Sequence, residues 1–421
     1  MTTSLTIRLP KRSQPGWLVW LLVVLPFSFG MLMDLLGLPS AVKYLLDLSW
    51  LSALVYLLRF YRSLDLKRGK GMFLWASVFF LFTLAVYPVR YQSGLYYLWG
   101  IRNNFRFYVA FAAFAAFLTP GDGAAFLGMF DRLFWINAAV SAVQFLCFGL
   151  RGDYLGGIFG AEQGCNAYTN LFFVIVLTKS VVHCLEKKEA TPVCLAKCAA
   201  ALLVAGLAEL KFFFIEFGAI LVLAVLFTGF TWRKLWLLLG GTAGILAGAA
   251  LVAALFPGYG DWFRLDWILE AASADRGYTS SGDLNRLNAI AVINEKIFGH
   301  WGQRWFGLGL GNCDTASFAF LDTPFYQTYA SLHYTWLSTA FWYLETGYLG
   351  LVFFFGFFLL IFFCAVRLEK RSRGVAKTWC RMGKIMAVLC VLIAIYNPSL
   401  RTEAGYMAYF VLALPFVGDR E

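Results

Sequence analysis

Y-L-G-L-V-F-F-F-G-F-F-L-L-I-F-F-C-A-V, at Tyr348–Val366, decides the class of fold, because it runs on without a single charged residue. A helix of about 20 apolar residues, rising 1.5 Å per residue, matches the roughly 30 Å hydrocarbon core of a bilayer. Arg367, Lys370, Arg371, Arg373, Lys377, Arg381 and Lys384 follow at once and form the strongest basic cluster in the chain. An apolar span that ends in lysine and arginine reads as a transmembrane helix whose C-terminal end is cytoplasmic.

The same alternation extends outward on both sides. The chain has 421 residues, of which 60% are hydrophobic and only 14% charged. A soluble domain cannot hide that much apolar surface, so the composition excludes one. The net charge of +11 would point to nucleic acid in a soluble protein. Here the basic residues sit in short connections between apolar spans, as orientation in a membrane requires, and no nucleic-acid partner is expected. Arg8, Lys11 and Arg12 precede a span at Trp17–Leu36, and the absence of a small-residue cleavage site predicts that this first helix is retained. Further spans are read at about Ala41–Phe60, Met72–Val89, Phe105–Leu118, Phe126–Leu150 and Tyr168–Leu185. Val193–Phe230 is too long for one crossing and is broken by Glu209-Leu-Lys211 and again by Glu216, which predicts two shorter helices meeting at the outer face. Leu235–Phe256, the helix leading into Tyr348–Val366, Ile385–Tyr396 and Tyr406–Val417 complete the set. The expected fold is an all-α polytopic membrane protein with about twelve transmembrane helices and both ends inside. Residues 1–421 form a single membrane domain, and Pro257–Leu332 is its one large extracytoplasmic loop. This topology leaves about 23 of the 35 Lys and Arg inside and about 12 outside.

The segment between that loop and the opening span holds the chemistry. It reads D-L-N-R-L-N-A-I at Asp283–Ile290, W-F-G-L-G-L-G-N at Trp305–Asn312, H-Y-T-W-L at His333–Leu337 and Y-L-E-T-G-Y-L-G at Tyr343–Gly350. Arg90, Arg102, Arg106, Arg151, Arg264, Arg276, Arg286, Arg304 and Arg401 all map outside, where arginine should be scarce. Arg102 and Arg106 are four apart and share one helix face. A guanidinium is always charged, and its planar fork matches phosphate oxygens. Such a set suits a lipid-linked pyrophosphate; each arginine can also reach headgroups or pair with Asp and Glu. Glu209 and Lys211 are either a local pair at a helix break or a sugar-hydroxyl and a phosphate ligand.

Gly307-Leu-Gly-Leu-Gly311 lacks the strand–helix context of a dinucleotide fingerprint. Tight turns, or a nest of backbone amides for an anion, fit a loop better. Of the three His, His333 stands at a helix entry twelve residues before Glu345 and is the best candidate to take a proton from a hydroxyl near neutral pH. No H-x-x-x-H or E-x-x-H spacing occurs, so neither metal nor cofactor is expected. Cys165 and Cys313 both fall in outer loops, which leaves a disulfide between them open.

In this order and topology the chain resembles the O-antigen ligase and Wzy-type polysaccharide polymerase superfamily of bacterial envelope glycosyltransferases. The resemblance is carried by Arg286, Gly307–Gly311, His333 with Trp336 and Leu337, and Glu345 with Gly347 and Gly350. Asp153–Gly160, Gly164-Cys-Asn166, Glu209-Leu-Lys211 and Tyr396-Asn-Pro-Ser-Leu-Arg401 are similar to a capsule or exopolysaccharide polymerase branch. The family often has Asn after the His, where this chain has Tyr334, and its arginine–glycine spacing is not matched after Arg286. The resemblance implies a GT-C-like enzyme of the bacterial cytoplasmic (inner) membrane with its site on the periplasmic side. It implies inverting, metal-independent transfer of a glycan from undecaprenyl pyrophosphate. The acceptor would be a second lipid-linked repeat unit in a polymerase, or lipid A core or protein in a ligase. A chain-length regulator and a flippase are partners it admits. Arg102, Arg106 and Arg286 would hold the pyrophosphate, with Lys211 and Arg401 behind them, and His333 would be the general base, oriented by Glu345. The contrasting expectation is a lipid-linked sugar flippase or transporter, which should carry inverted repeats and midplane charges.

Overall fold

The computed structural model describes residues 16–59, 70–90, 93–229, 232–255, 277–279, 282–316 and 319–418. Arg8, Lys11, Arg12, Arg62, Lys67, Arg68, Arg264, Arg276 and much of the Pro257–Leu332 loop therefore lie outside the described residues. Among the described residues there are twelve helices of 13 residues or more. They are α1 (Gly16–Leu36), α2 (Leu45–Arg59), α3 (Lys70–Val86), α4 (Gly94–Phe117), α5 (Pro120–Phe148), α6 (Asn166–Leu185), α7 (Thr191–Leu207), α8 (Lys211–Thr228), α9 (Trp232–Leu255), α10 (Ser338–Glu369), α11 (Gly374–Tyr396) and α12 (Gly405–Val417). No strand occurs among the described residues beyond an isolated bridge between Tyr278 and Leu284. Seven segments, which contain α2, α3, α5, α6, α8, α10 and α11, are long and apolar enough to cross a membrane. The chain is an all-α polytopic membrane protein.

Burial sorts the helices into layers. In α6, 83% of the most apolar window is buried inside the protein, whereas in α3 the share is 17%. The centre is α12, G-Y-M-A-Y-F-V-L-A-L-P-F-V, in which every residue is buried. A helix that is hydrophobic all round has no water-facing side and must be surrounded; α1, α4, α6 and α11 pack against it. Phe410 on α12 meets Phe126 and Phe130 of α5 edge-on at 5.4 and 5.7 Å, the arrangement aromatic quadrupoles favour. With 13 residues α12 is only about 20 Å long, so the polar link before it sits below the rim of the longer helices.

Two breaks shape the site. The Val193–Phe230 run divides at Glu209, which takes φ 56°, so α7 ends and α8 begins at Lys211. The helix leading into Tyr348–Val366 is also interrupted: Gly347 adopts φ 64°, ψ −163° inside α10. That break frees helix carbonyls, and the glycine-rich turn supplies their donors. The Leu308 amide donates to the Leu344 carbonyl at 2.8 Å, and the Gly309 amide to the Glu345 carbonyl at 2.9 Å. A Cβ on Gly307 would overlap the Glu345 backbone, one on Gly347 the Trp305 backbone, and one on Gly311 the Tyr96 carbonyl. The turn is thus a dovetail between α4 and α10, and two of its amides serve helix carbonyls instead of an anion. Cys165 and Cys313 are both free thiols, so the disulfide left open by the sequence does not form. The Cys165 Sγ lies on the Asp153 carbonyl at 3.4 Å, while Tyr334 Oη donates to the Cys313 carbonyl at 2.6 Å.

Candidate functional site

The links α1–α2, α5–α6, α7–α8 and α11–α12 and the segment before α10 meet at one end of the bundle, which we call the loop end. Its inner layer is ionic. On α4, the sequence R-N-N-F-R puts Arg102 and Arg106 one turn apart. Arg102 forks onto Asp47, Nε to Oδ1 at 3.0 Å and Nη2 to Oδ2 at 2.7 Å. Arg106 is buried; its Nη1 faces Glu403 Oε1 at 3.4 Å and its Nη2 donates to the Arg401 carbonyl at 3.1 Å. Tyr168 Oη donates to the other oxygen of Glu403 at 2.6 Å. Arg401 lies over the Phe341 ring, with Nη2 3.9 Å from Asp314 Oδ1. Asn103 Nδ2 donates to Asp314 Oδ2 at 2.6 Å. Burial opposes ionisation of Glu403, but Arg106, Lys43 and the Tyr168 hydroxyl together hold its carboxyl down at about 2.

Arg102, Arg106 and Arg401 therefore face Asp47, Glu403 and Asp314. Arg102 and Arg106 thus already have carboxylate partners, whereas Arg401 Nε has no hydrogen-bond partner among the described residues and its Nη2 is 3.9 Å from Asp314. Glu345 also changes its place in the picture. It is fully buried at the α10 break, where it accepts from the Cys313 amide at 3.3 Å and from Asn104 Nδ2 at 3.5 Å. It does not touch His333.

The partner of His333 is Asp283. Nδ1 and Asp283 Oδ1 are 2.6 Å apart, and the ring stacks on Trp336 at 3.9 Å. The Leu284 amide donates to the Leu332 carbonyl at 3.0 Å, which pins the two strands of the loop together beside this pair. His333 itself sits in the left-handed region at φ 49°, and its side chain is 41% exposed. A carboxylate on Nδ1 fixes the tautomer that leaves Nε2 as the basic nitrogen.

Three residues after Asp283, Arg286 turns toward the bundle. Its Nε donates to the Tyr396 carbonyl at 3.0 Å and its guanidinium lies over the Tyr396 ring at 4.4 Å. Phe212, next to Lys211, also stacks on that tyrosine at 4.2 Å with the rings nearly parallel. Lys211 is close enough to Arg286, Glu209 and Asp153 to feel their charges. Among the described residues, no carboxylate forms an ion pair with Arg286. The loop end thus carries the His333–Asp283 pair and, three residues along the loop, Arg286 on Tyr396 near Lys211 and Glu209, and leaves Glu345, Arg102, Arg106 and Arg401 in the inner layer.

No family model matches the chain, and no curated protein matches it either.

Asp283 opens the D-L-N-R stretch, but fifty positions separate it from His333, and no local spacing links them. Asp47 lies in the first turn of α2, Asp314 in the segment before α10 and Glu403 in the α11–α12 link, so no local spacing ties them to the arginines. An acid that must neutralise an arginine of the same face is the signal that marks them.

Proposed function

We propose that the protein polymerises undecaprenyl-pyrophosphate-linked oligosaccharide repeat units into a surface polysaccharide at the outer face of a bacterial cytoplasmic membrane. The observation that carries this reading is the His333–Asp283 pair on the same loop as Arg286, whose charge Lys211 feels: a base and two cations at one end of the bundle. In this proposal the twelve long helices all cross, the basic connections are cytoplasmic and the loop end faces out, in a GT-C-like arrangement. The acceptor hydroxyl loses its proton to His333 Nε2 as its oxygen bonds the anomeric carbon of the donor. The anomeric carbon–oxygen bond breaks on the opposite face, so the configuration inverts. The electron pair leaves with undecaprenyl pyrophosphate, whose charge Arg286 and Lys211 meet with fixed positive groups. Asp283 steadies the imidazolium that forms.

The test is a reconstitution. The purified protein is given the lipid-linked repeat unit of its host in detergent with EDTA, and the glycans are run on a gel. A ladder of repeat-unit multiples, lost in His333→Ala and Arg286→Ala, supports the polymerase. Glycan transfer only to added lipid A core or protein makes it a ligase. Movement of the substrate across vesicles with no transfer overturns the enzyme.

A further inference from the structure

The loop end holds a cavity of about 260 Å³ between α1, the α1–α2 link, the α5–α6 loop and the first turn of α6. Its polar lining is Asp34, Lys43, Glu162, Gln163, Tyr168 and Thr402, and Phe29 and Phe159 supply apolar walls. The α5–α6 loop separates it from Lys211. On one side of that loop Gly152 packs against the Glu209 carboxylate, and Asp153 accepts from Asn166 Nδ2 at 2.9 Å. On the other side Phe159, Glu162 and Cys165 face the cavity.

The lining discriminates between ligands. Two carboxylates, Asp34 and Glu162, outnumber the single ammonium of Lys43, so a phosphate would be repelled. A neutral polyol is matched: carboxylate and amide oxygens accept from hydroxyls, while the ammonium and amide N–H groups donate. The rings of Phe29, Phe159 and Tyr168 offer flat apolar surface to the C–H faces of a pyranose. Two of the polar groups are held in place before any ligand arrives. Asp34 Oδ2 accepts from the Ala161 amide at 2.6 Å, and the Tyr168 hydroxyl is fixed on Glu403 at 2.6 Å. Lys43 lines the cavity as well, close enough to Glu403 that its charge also helps to hold that carboxylate.

We propose that this cavity is a saccharide subsite. Resting on the polymerase function proposed above, it holds sugar residues of one lipid-linked chain while the pyrophosphate of the other lies at Arg286 and Lys211 across the α5–α6 loop. Joining two glycans requires both to be held at once, and the loop end offers two places of different chemistry, the cations Arg286 and Lys211 and a cavity suited to neutral hydroxyls.

The test uses the full chain in detergent and, as probe, the lipid-free repeat-unit oligosaccharide released from the host's lipid-linked precursor. Binding is followed by ligand-observed NMR, and ladder formation is run in parallel. The expected result is that wild type binds and that Glu162→Gln and Lys43→Gln each weaken binding about tenfold, the loss of one hydrogen bond to a charged group. The same variants raise the KM for the repeat unit. Gln163→Ala removes an exposed neutral side chain and keeps the test decisive if a charge variant does not purify. If wild type builds the ladder and the variants bind and elongate as it does, the subsite is overturned and the polymerase stands. If the oligosaccharide binds, with the variants weakened, but no ladder forms under any condition, the subsite stands and the polymerase is overturned. If wild type neither binds nor elongates, both are overturned.

Discussion

Arg106→Met separates an arginine that holds the protein together from one that holds substrate. In the folded chain Arg106 is buried, with Glu403 Oε1 at 3.4 Å and the Arg401 carbonyl at 3.1 Å. Taking the guanidinium away leaves the Glu403 carboxylate to the Tyr168 hydroxyl and the more distant Lys43. The Glu403 side chain is only 14% exposed, so water cannot replace the lost partner. Its carboxyl is held at about 2, against an ordinary value of 4.5. That difference corresponds to about 3 kcal/mol in favour of the ionised form at neutral pH. Removing one member of a buried pair costs about 3–5 kcal/mol in other proteins, so the two routes agree.

The sign with pH follows from the direction. A folded-state value below the unfolded one contributes stability that is complete above about 4.5 and is lost as pH falls toward about 2. Arg106→Met should therefore lower the thermal unfolding temperature at neutral pH by roughly 5 °C or more. It should also flatten the acid limb of the stability profile. Arg106→Met/Glu403→Gln, which removes the stranded charge, should recover part of the loss. The assay is unfolding in detergent followed by tryptophan fluorescence, across pH. A single variant that unfolds with wild type, or a double variant no better than the single, refutes the ionic-layer account and returns Arg106 to the substrate.

Asp283→Asn should cut the rate of repeat-unit coupling about 100-fold, the contribution of a correctly held base, while leaving the unfolding temperature unchanged because the pair is partly exposed. Initial rates and melts on the same sample check both halves. Gly347→Ala and Gly307→Ala each combine positive φ with a backbone overlap and should cost about 2–5 kcal/mol. Gly149→Ala, also at positive φ but facing open space, should cost about 1 kcal/mol, and the three melts compare directly. All nine cysteines should alkylate in denaturant without a reductant, counted by mass spectrometry.

What was legible in the sequence was whatever local composition controls. The α7–α8 break at Glu209 could be read because charged residues interrupt an apolar run, and the basic connections mark where helices end. The break at Gly347 could not be read. A glycine inside an apolar helix is ordinary, and this one opens only because the turn at Gly307–Gly311 arrives to cap the freed carbonyls. His333 was legible as a candidate base, but its partner was not. Glu345 is near in sequence and faces the helix interior, whereas Asp283 is remote and is delivered by the loop folding back at Leu284. The outer arginines were read as a set suited to a pyrophosphate, and three of them, Arg102, Arg106 and Arg401, lie beside Asp47, Glu403 and Asp314. These carboxylates were hidden from the sequence because Asp47 lies in the first turn of α2, Asp314 in the segment before α10 and Glu403 in the α11–α12 link, far apart along the chain.

The division among the cations then has a physical reason. Arg102, Arg106 and Arg401 sit on or between helices that pack against one another, where an unpaired charge would be costly, so the fold supplies a carboxylate for each. Arg286 lies on the loop, exposed, and needs only the carbonyl and ring of Tyr396 to set its direction. The ionic layer makes the loop end rigid by tying α2, α4, α6 and the α11–α12 link to one another, and Tyr396, which aims Arg286, stands immediately before that link. A rigid floor under a loop-borne base and cation is what positions a hydroxyl and a leaving pyrophosphate against each other to within a fraction of an ångström. Loosening the floor with Arg106→Met should therefore lower coupling as well as stability, whereas Arg286→Ala should abolish coupling and leave the melt in place. Equal effects of the two variants on both readouts would mean that floor and site are one layer.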